Sequence, residues 1–145
     1  MTHTFSAILV VGLVLLTGPV WAEDYLDHFD QGEFALRVQN WKRAVEHFTR
    51  SIEANPRFVI AYVNRAIANS KMGNYDKSIE DLKEAAQINP NLPDVYGLMG
   101  LVYEIKKDYP AAVAAYQDAL ARETRPAVRS VIERYIKDLE PKLKK

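Results

Sequence analysis

Positions 34 residues apart are alike along most of this chain, and that period constrains the fold more than any other feature. Trp41, Tyr75 and Tyr109 coincide, as do Ala44, Ser78 and Ala112, and Gly32, Ala66 and Gly100. Val45, Ile79 and Val113 keep an aliphatic residue in place, Ser51, Ala85 and Ala119 a small one, and Pro56 and Pro90 close two copies at the same point. Within a copy, Trp41, Ala44, Val45, Phe48 and Ile52 recur at the spacing of one buried helix face. Gly73-Asn74 supplies a turn between two such stretches. Each copy therefore reads as two short amphipathic helices. Neither can bury its apolar face alone, so the copies must stack on one another.

These landmarks resemble the tetratricopeptide repeat (TPR) family over about residues 25–126. The resemblance implies an all-α fold, a right-handed α-solenoid of three TPR helix pairs (25–58, 59–92 and 93–126) plus a C-terminal capping helix in 127–145. Helices are expected over 25–38 and 41–54, 57–71 and 75–88, 93–106 and 109–122, and 127–139. Gly32 and Gly100 read as places where two helices approach closely. His28, Gln31 and Ala35 are smaller or more polar than the family's usual residues, as suits a terminal repeat. Arg65 and Asn69 also stand at positions where the family prefers apolar residues, so looser packing is expected there. Glu80, Asp81 and Lys83 read as a solvated helix face. Val128, Val131, Ile132, Tyr135 and Ile136 lie on one side of the last helix and are expected to cover the end of the array.

Before the repeats, Ala7 to Leu16 is an unbroken apolar run, followed by Thr17-Gly18-Pro19, then Val20-Trp21-Ala22 and the charged Glu23-Asp24. That order describes a secretory signal peptide over residues 1–22, cleaved after Ala22, although its first residues carry no Lys or Arg. Uncleaved, Phe5 to Ala22 would be just long enough to anchor the chain in a membrane. Either way the repeats are expected outside the cytoplasm, periplasmic or secreted.

The chain has 19 basic and 19 acidic residues, a balance that argues against nucleic-acid binding, which draws its affinity from Lys and Arg on phosphates. It has no cysteine, and its histidines, His3, His28 and His47, show no ligand-pair spacing, so no metal site is expected. No catalytic constellation and no phosphate-binding glycine loop appear, and the expectation is a non-enzyme without cofactors. The charges are unevenly placed. Glu23, Asp24, Asp27, Asp30 and Glu33 crowd one end, whereas Arg125, Arg129, Arg134, Lys137, Lys142, Lys144 and Lys145 outnumber Glu133, Asp138 and Glu140 at the other. Head-to-tail self-association is one consequence of that asymmetry.

In the TPR family the first helix of each pair lines the concave side. Carried over residue by residue, that implies a groove for a protein or peptide segment lined by Leu26, Phe29, Glu33, Leu36 and Arg37. The second pair adds Ile60, Val63, Asn64, Ile67, Ser70 and Lys71, and the third Asp94, Gly97, Leu98, Leu101, Glu104 and Ile105. The family's carboxylate clamp, which grips chaperone C-termini, requires Lys or Asn at the positions held here by Phe29, Glu33 and Asn64, and Lys or Arg at Asp94 and Leu98. Only Asn64 agrees, so no clamp is expected. The reading is a binding scaffold, with a self-assembling structural protein or a membrane-tethered assembly factor as alternatives.

Overall fold

A computed structural model describes residues 21–143, with side chains from Asp24. The apolar run at 7–16 and the last two lysines lie outside these residues. Seven α-helices follow one another: α1 (Trp21–Arg37), α2 (Trp41–Ala54), α3 (Val59–Lys71), α4 (Tyr75–Ile88), α5 (Pro93–Ile105), α6 (Tyr109–Arg122) and α7 (Pro126–Leu139), then a short 3-10 turn at Glu140–Lys142. No strand occurs among the described residues. Helices α1–α2, α3–α4 and α5–α6 pair most closely, each pair stacks on the next, and α7 packs on α6. The three-pair solenoid with a capping helix is the architecture expected.

The repeat is visible in backbone detail. Each pair turns through one residue of positive φ, Gln39 (59°), Gly73 (80°) and Lys107 (62°), spaced by the same 34 residues. The next residue's N–H reaches back to the preceding helix, Asn40 to Ala35 O (2.8 Å), Asn74 to Asn69 O (2.9 Å) and Asp108 to Tyr103 O (2.9 Å). That is how a helix end satisfies its last carbonyls through a left-handed residue. Asn40 and Asp108 then cap the following helix, accepting from Arg43 N and Ala111 N, each at 3.2 Å.

The links between pairs repeat as well. Asn55 Oδ1 accepts from Arg57 N at 3.2 Å and Asn89 Oδ1 from Asn91 N at 3.1 Å, while the hydroxyls of Tyr62 and Tyr96 donate to the carbonyls of Pro56 and Pro90, both at 3.2 Å. At the third link Glu123 stands where Asn55 and Asn89 stood. Its carboxylate accepts from the N–H groups of Thr124 (2.9 Å) and Arg125 (2.8 Å), so a different side chain builds the same turn.

Three helix starts differ from expectation, α7 by the single residue Pro126, whose fixed φ suits a first helical position. Helix α1 is already formed at Trp21, ahead of the expected start at 25, as neither glycine nor proline lies between Trp21 and Gly32. Helix α3 begins at Val59 rather than 57, because the turn closed by Asn55 holds Arg57 outside it. No described helix is long and apolar enough to cross a membrane.

A cavity of about 250 Å³ lies beside Arg65 and Asn69, yet both are held by hydrogen bonds, and Asp81 is no solvated residue. Arg65 from α3 donates twice to Asp81 of α4, Nη2 to Oδ1 at 2.6 Å and Nε to Oδ2 at 3.0 Å, and its Nη1 reaches Thr49 of α2 at 3.0 Å. Asn69 adds a weaker bond to Asp81 at 3.3 Å. Asp81 and Asn69 are buried, so the polar residues form one satisfied network that ties three helices together.

Candidate functional site

Helices α3, α5 and α7 present one face in common. On α3 it carries Ile60, Asn64, Ile67 and Lys71, spaced three or four apart and therefore aligned on one side of the helix. Leu98, Leu101 and Ile105 of α5 do the same. Three of these apolar side chains lie open to solvent, Ile60 at 53% exposure, Leu101 at 40% and Ile105 at 54%. Isolated exposed aliphatics are ordinary, but several on one face mark a surface that excludes water when something lies on it.

Two cavities open on this face. The first, about 190 Å³, lies between α3 and α5, with Ile67, Lys71, Leu98, Leu101 and Ile105 around it and Ser78 and Leu82 of α4 beneath. The second, about 320 Å³, lies between α5 and α7, bounded by Gly97, Leu98, Leu101, Val131, Ile132 and Tyr135. Leu98 and Leu101 belong to both, so the cavities are neighbouring parts of one groove.

Six of the seventeen residues expected in the groove thus meet at the first cavity, Ile67, Ser70, Lys71, Leu98, Leu101 and Ile105, and Asp94 and Gly97 line the second. The others have different surroundings. Phe29 packs edge-on against Phe58 (centroids 4.9 Å apart) and tilted against Phe48 (5.7 Å), so its ring serves the core of the first pair. Val63 packs on the main core, Ile60 stands outside both cavities, and Glu33 and Asn64 are half-buried on α1 and α3.

The α7 side of the groove went unread in the sequence. Tyr135, expected to be buried beneath the cap, is 40% exposed and stacks on Tyr116 with ring centroids 5.5 Å apart. Its signal was the period itself, since Tyr135 follows Leu101, and Ile132 follows Leu98, by 34 residues.

Charge around the groove is mostly neutralised. Arg125 spans from Asp94 (3.3 Å) to the carboxylate of Glu123 (2.7 Å). The Arg125 side chain and backbone bonds hold the Glu123 carboxyl at a pKa of about 2. Tyr116 donates to Glu104 at 3.3 Å, and its phenol pKa is raised, mainly by burial and then by that carboxylate. Lys71 stands exposed at the rim. No group of three or more candidate metal ligands occurs among the described residues.

Family models described as "Tetratricopeptide repeat" match residues 59–92 and 93–124, the second and third helix pairs. The chain belongs to the tetratricopeptide repeat family. Its TPR relatives include the "Small glutamine-rich tetratricopeptide repeat-containing protein 2" of Mycosarcoma maydis, 33% identical over 87 residues, which are 60% of this chain and 25% of that protein. Another is the "Hsp70-Hsp90 organizing protein 3" of Arabidopsis thaliana, 27% identical over 66% of this chain and 17% of that protein. The chain thus spans a quarter or less of the length of these two relatives. Among solved structures, the "Arabidopsis OM64 TPR domain" superimposes with a TM-score of 0.74 at 24% identity, covering 81% of this chain and 98% of that one.

Proposed function

We propose that the chain is a non-catalytic adaptor that holds a segment of a partner protein in the groove of α3, α5 and α7. The observation that carries this reading is the contiguous apolar surface formed by Ile67, Leu98, Leu101 and Ile105 above two adjoining cavities. An apolar groove with a charged rim suits an extended or helical segment whose side chains alternate between pockets and solvent. The Arabidopsis relative is named for organising two chaperones, a role of the adaptor kind. The ligand chemistry differs from that of a carboxylate clamp, because Phe29 is spent on the core, Glu33 brings negative charge, and Asp94 and Leu98 stand where the clamp needs cations. We place the adaptor outside the cytoplasm on the order of residues 1–24 alone, with cleavage after Ala22 leaving Glu23 as the first residue.

Replacing Ile67 and Leu101 together by Glu tests the groove. Capture of the partner in crosslinking pull-downs from the native compartment is lost, while helicity and cooperative melting persist. Retained capture by the folded double variant would move the interaction off this face. The intact mass of the native protein tests the compartment, because retention of residues 1–22 would replace the secreted adaptor with a membrane-tethered one.

A second reading, self-assembly, has its own observation. Phe34 is 60% exposed on α1, whereas Ala68 and Val102, at the same place in the next two repeats, are 0% and 5% exposed beneath a preceding helix. The first repeat therefore leaves open a face that its successors bury, next to the acidic end of the chain. A salt-sensitive change in sedimentation between low and physiological ionic strength would support contact between copies there.

A further inference from the structure

Beneath the cavity between α3 and α5 lies a polar group with no role in holding the chain together. Ser78 is 1% exposed, and its Oγ is buried without a hydrogen-bond partner. Its companions at the 34-residue period are Ala44 and Ala112, both fully buried. Alanine therefore fits between these helices, and packing does not call for the hydroxyl. A buried hydroxyl left unpaired costs stability, since water solvated it in the unfolded chain. Ser78 lines the floor of an open cavity at this repeat alone; its Oγ is covered as the side chain stands, and a partner from outside meets it once the side chain turns about its Cα–Cβ bond.

We propose that this cavity is an anchor pocket for a tyrosine side chain of the bound segment, selected by the Ser78 hydroxyl. The proposal rests on the groove reading above and specifies which side chain enters it. Size comes first. The volume of about 190 Å³ exceeds the ~150 Å³ of an apolar cavity known to hold a benzene ring. The walls, Ile67, Leu98, Leu101 and Ile105, are aliphatic and suit the body of an aromatic ring.

Polar valence decides the rest. A phenol carries one O–H, which a single serine hydroxyl can match as donor or acceptor, and rotation about one side-chain bond orients that hydroxyl. A side-chain amide brings two N–H groups and a carbonyl, most of which would stay unpaired among aliphatic walls. A carboxylate would be desolvated among the aliphatic walls, since Lys71, the one cation lining the cavity, stands at its exposed rim rather than beside Ser78 on the floor. Phenylalanine fills the space but leaves Ser78 unpaired. Sites built to hydrogen-bond a hydroxyl reject analogues that lack it.

Toluene and p-cresol reproduce the phenylalanine and tyrosine side chains and serve as probes. Amide NMR spectra of the full chain are followed while each is titrated. The expected result is that p-cresol shifts the amides of Ile67, Ser78, Leu101 and Val102 and binds at least five-fold more tightly than toluene. In Ser78→Ala that preference disappears, toluene affinity is unchanged, and the melting temperature rises. Equal binding of the two probes to the unaltered chain, shifts confined to other residues, or a preference that survives Ser78→Ala would overturn the proposal. The unaltered chain alone supplies the first two of these outcomes, so a poorly folding variant does not shelter it. These outcomes leave the groove reading in place, whereas partner capture by the folded Ile67/Leu101 double variant removes the groove reading, and the anchor role with it, whatever the probes show.

Discussion

Gly100 lies directly against the ring of Tyr116, and a Cβ added there would stand 2.5 Å from Tyr116 Cε1. Thirty-four residues earlier Gly32 meets Phe48 in the same way, with an added Cβ 2.6 Å from Phe48 Cε1. The middle repeat divides the space differently, pairing Ala66 with Leu82, both 1% exposed. Where the second helix brings an aromatic ring the first helix gives up its side chain. Where it brings leucine, a methyl group fits.

Gly100→Ala is therefore expected to destabilise the chain by about 1–3 kcal/mol, the usual range for overpacking a close-packed site. Tyr116→Leu is also destabilising, since it removes the bond to Glu104 and the stack on Tyr135. Combined, the two recreate the Ala66–Leu82 pairing and should cost less than their sum by roughly 1 kcal/mol, the signature of contacting residues. Thermal and urea melts of the four proteins measure this. Simple additivity would mean that the ring does not press on residue 100.

The Arg65–Asp81 pair has an internal control, because the period places Met99 and Ala115 at the same two positions one repeat later. Asp81 is 5% exposed, so Arg65→Ala leaves a buried carboxylate unpaired and is expected to cost about 3 kcal/mol, the low end for breaking a buried pair. Arg65→Met with Asp81→Ala removes both charges and reproduces the neighbouring junction, so most of that loss should return. A double variant no more stable than Arg65→Ala would show that the two junctions differ in backbone as well as in side chains.

These comparisons separate what the sequence makes legible from what it hides. Residues repeated at every copy, such as Trp41, Tyr75 and Tyr109, report the fold because stacking imposes the same packing on each unit. The groove was legible on α3 and α5, where Ile67 and Leu101 keep helical spacing on the shared face. It was hidden on α7, because the same spacing in Val131 and Tyr135 serves equally well for a buried cap. The Arg65–Asp81 network was hidden for another reason. Each residue looks solvated alone, and only the stacking of α3 on α2 and α4 brings Thr49, Arg65 and Asp81 into hydrogen-bond range. Likewise His28 and His47, nineteen residues apart on different helices, become neighbours only once α1 folds back on α2.

The cap yields a third prediction. Leu139 is 1% exposed and Ile132 7%, and Arg129 Nη1 donates to the carbonyls of Leu120 (2.7 Å) and Glu123 (2.9 Å) at the end of α6. Helix α7 thus covers apolar surface and satisfies carbonyls that α6 leaves open. Leu139→Ala should cost about 2–5 kcal/mol, as for other buried leucines. Truncation after Arg122 should go further and give an aggregating protein by light scattering. A truncated chain that stays monomeric with an unchanged melting temperature would deny α7 its capping role.

The two histidines give the last prediction, which concerns pH. Their ring centroids are 6.0 Å apart, and His47 is 8% exposed. Arg43 Nε donates to His47 Nε2 at 3.3 Å, so the neutral ring carries its proton on Nδ1, which is buried without a partner. Protonating Nε2 would convert that acceptor into a donor facing a guanidinium. Burial is the main cause that lowers the His47 pKa below 6.5, followed by Arg43, His28 and Arg50, with Glu46 opposing them. Because the folded value lies below the unfolded one, the unfolded chain binds more protons between the two. The stability in question is therefore fully present above pH 6.5 and is lost as pH falls through the folded pKa. Melting temperatures should accordingly drop as pH is lowered from 7 toward 5, and His47→Gln, which cannot gain a proton, should flatten that part of the profile. An equally steep decline in His47→Gln would assign the acid sensitivity to another group.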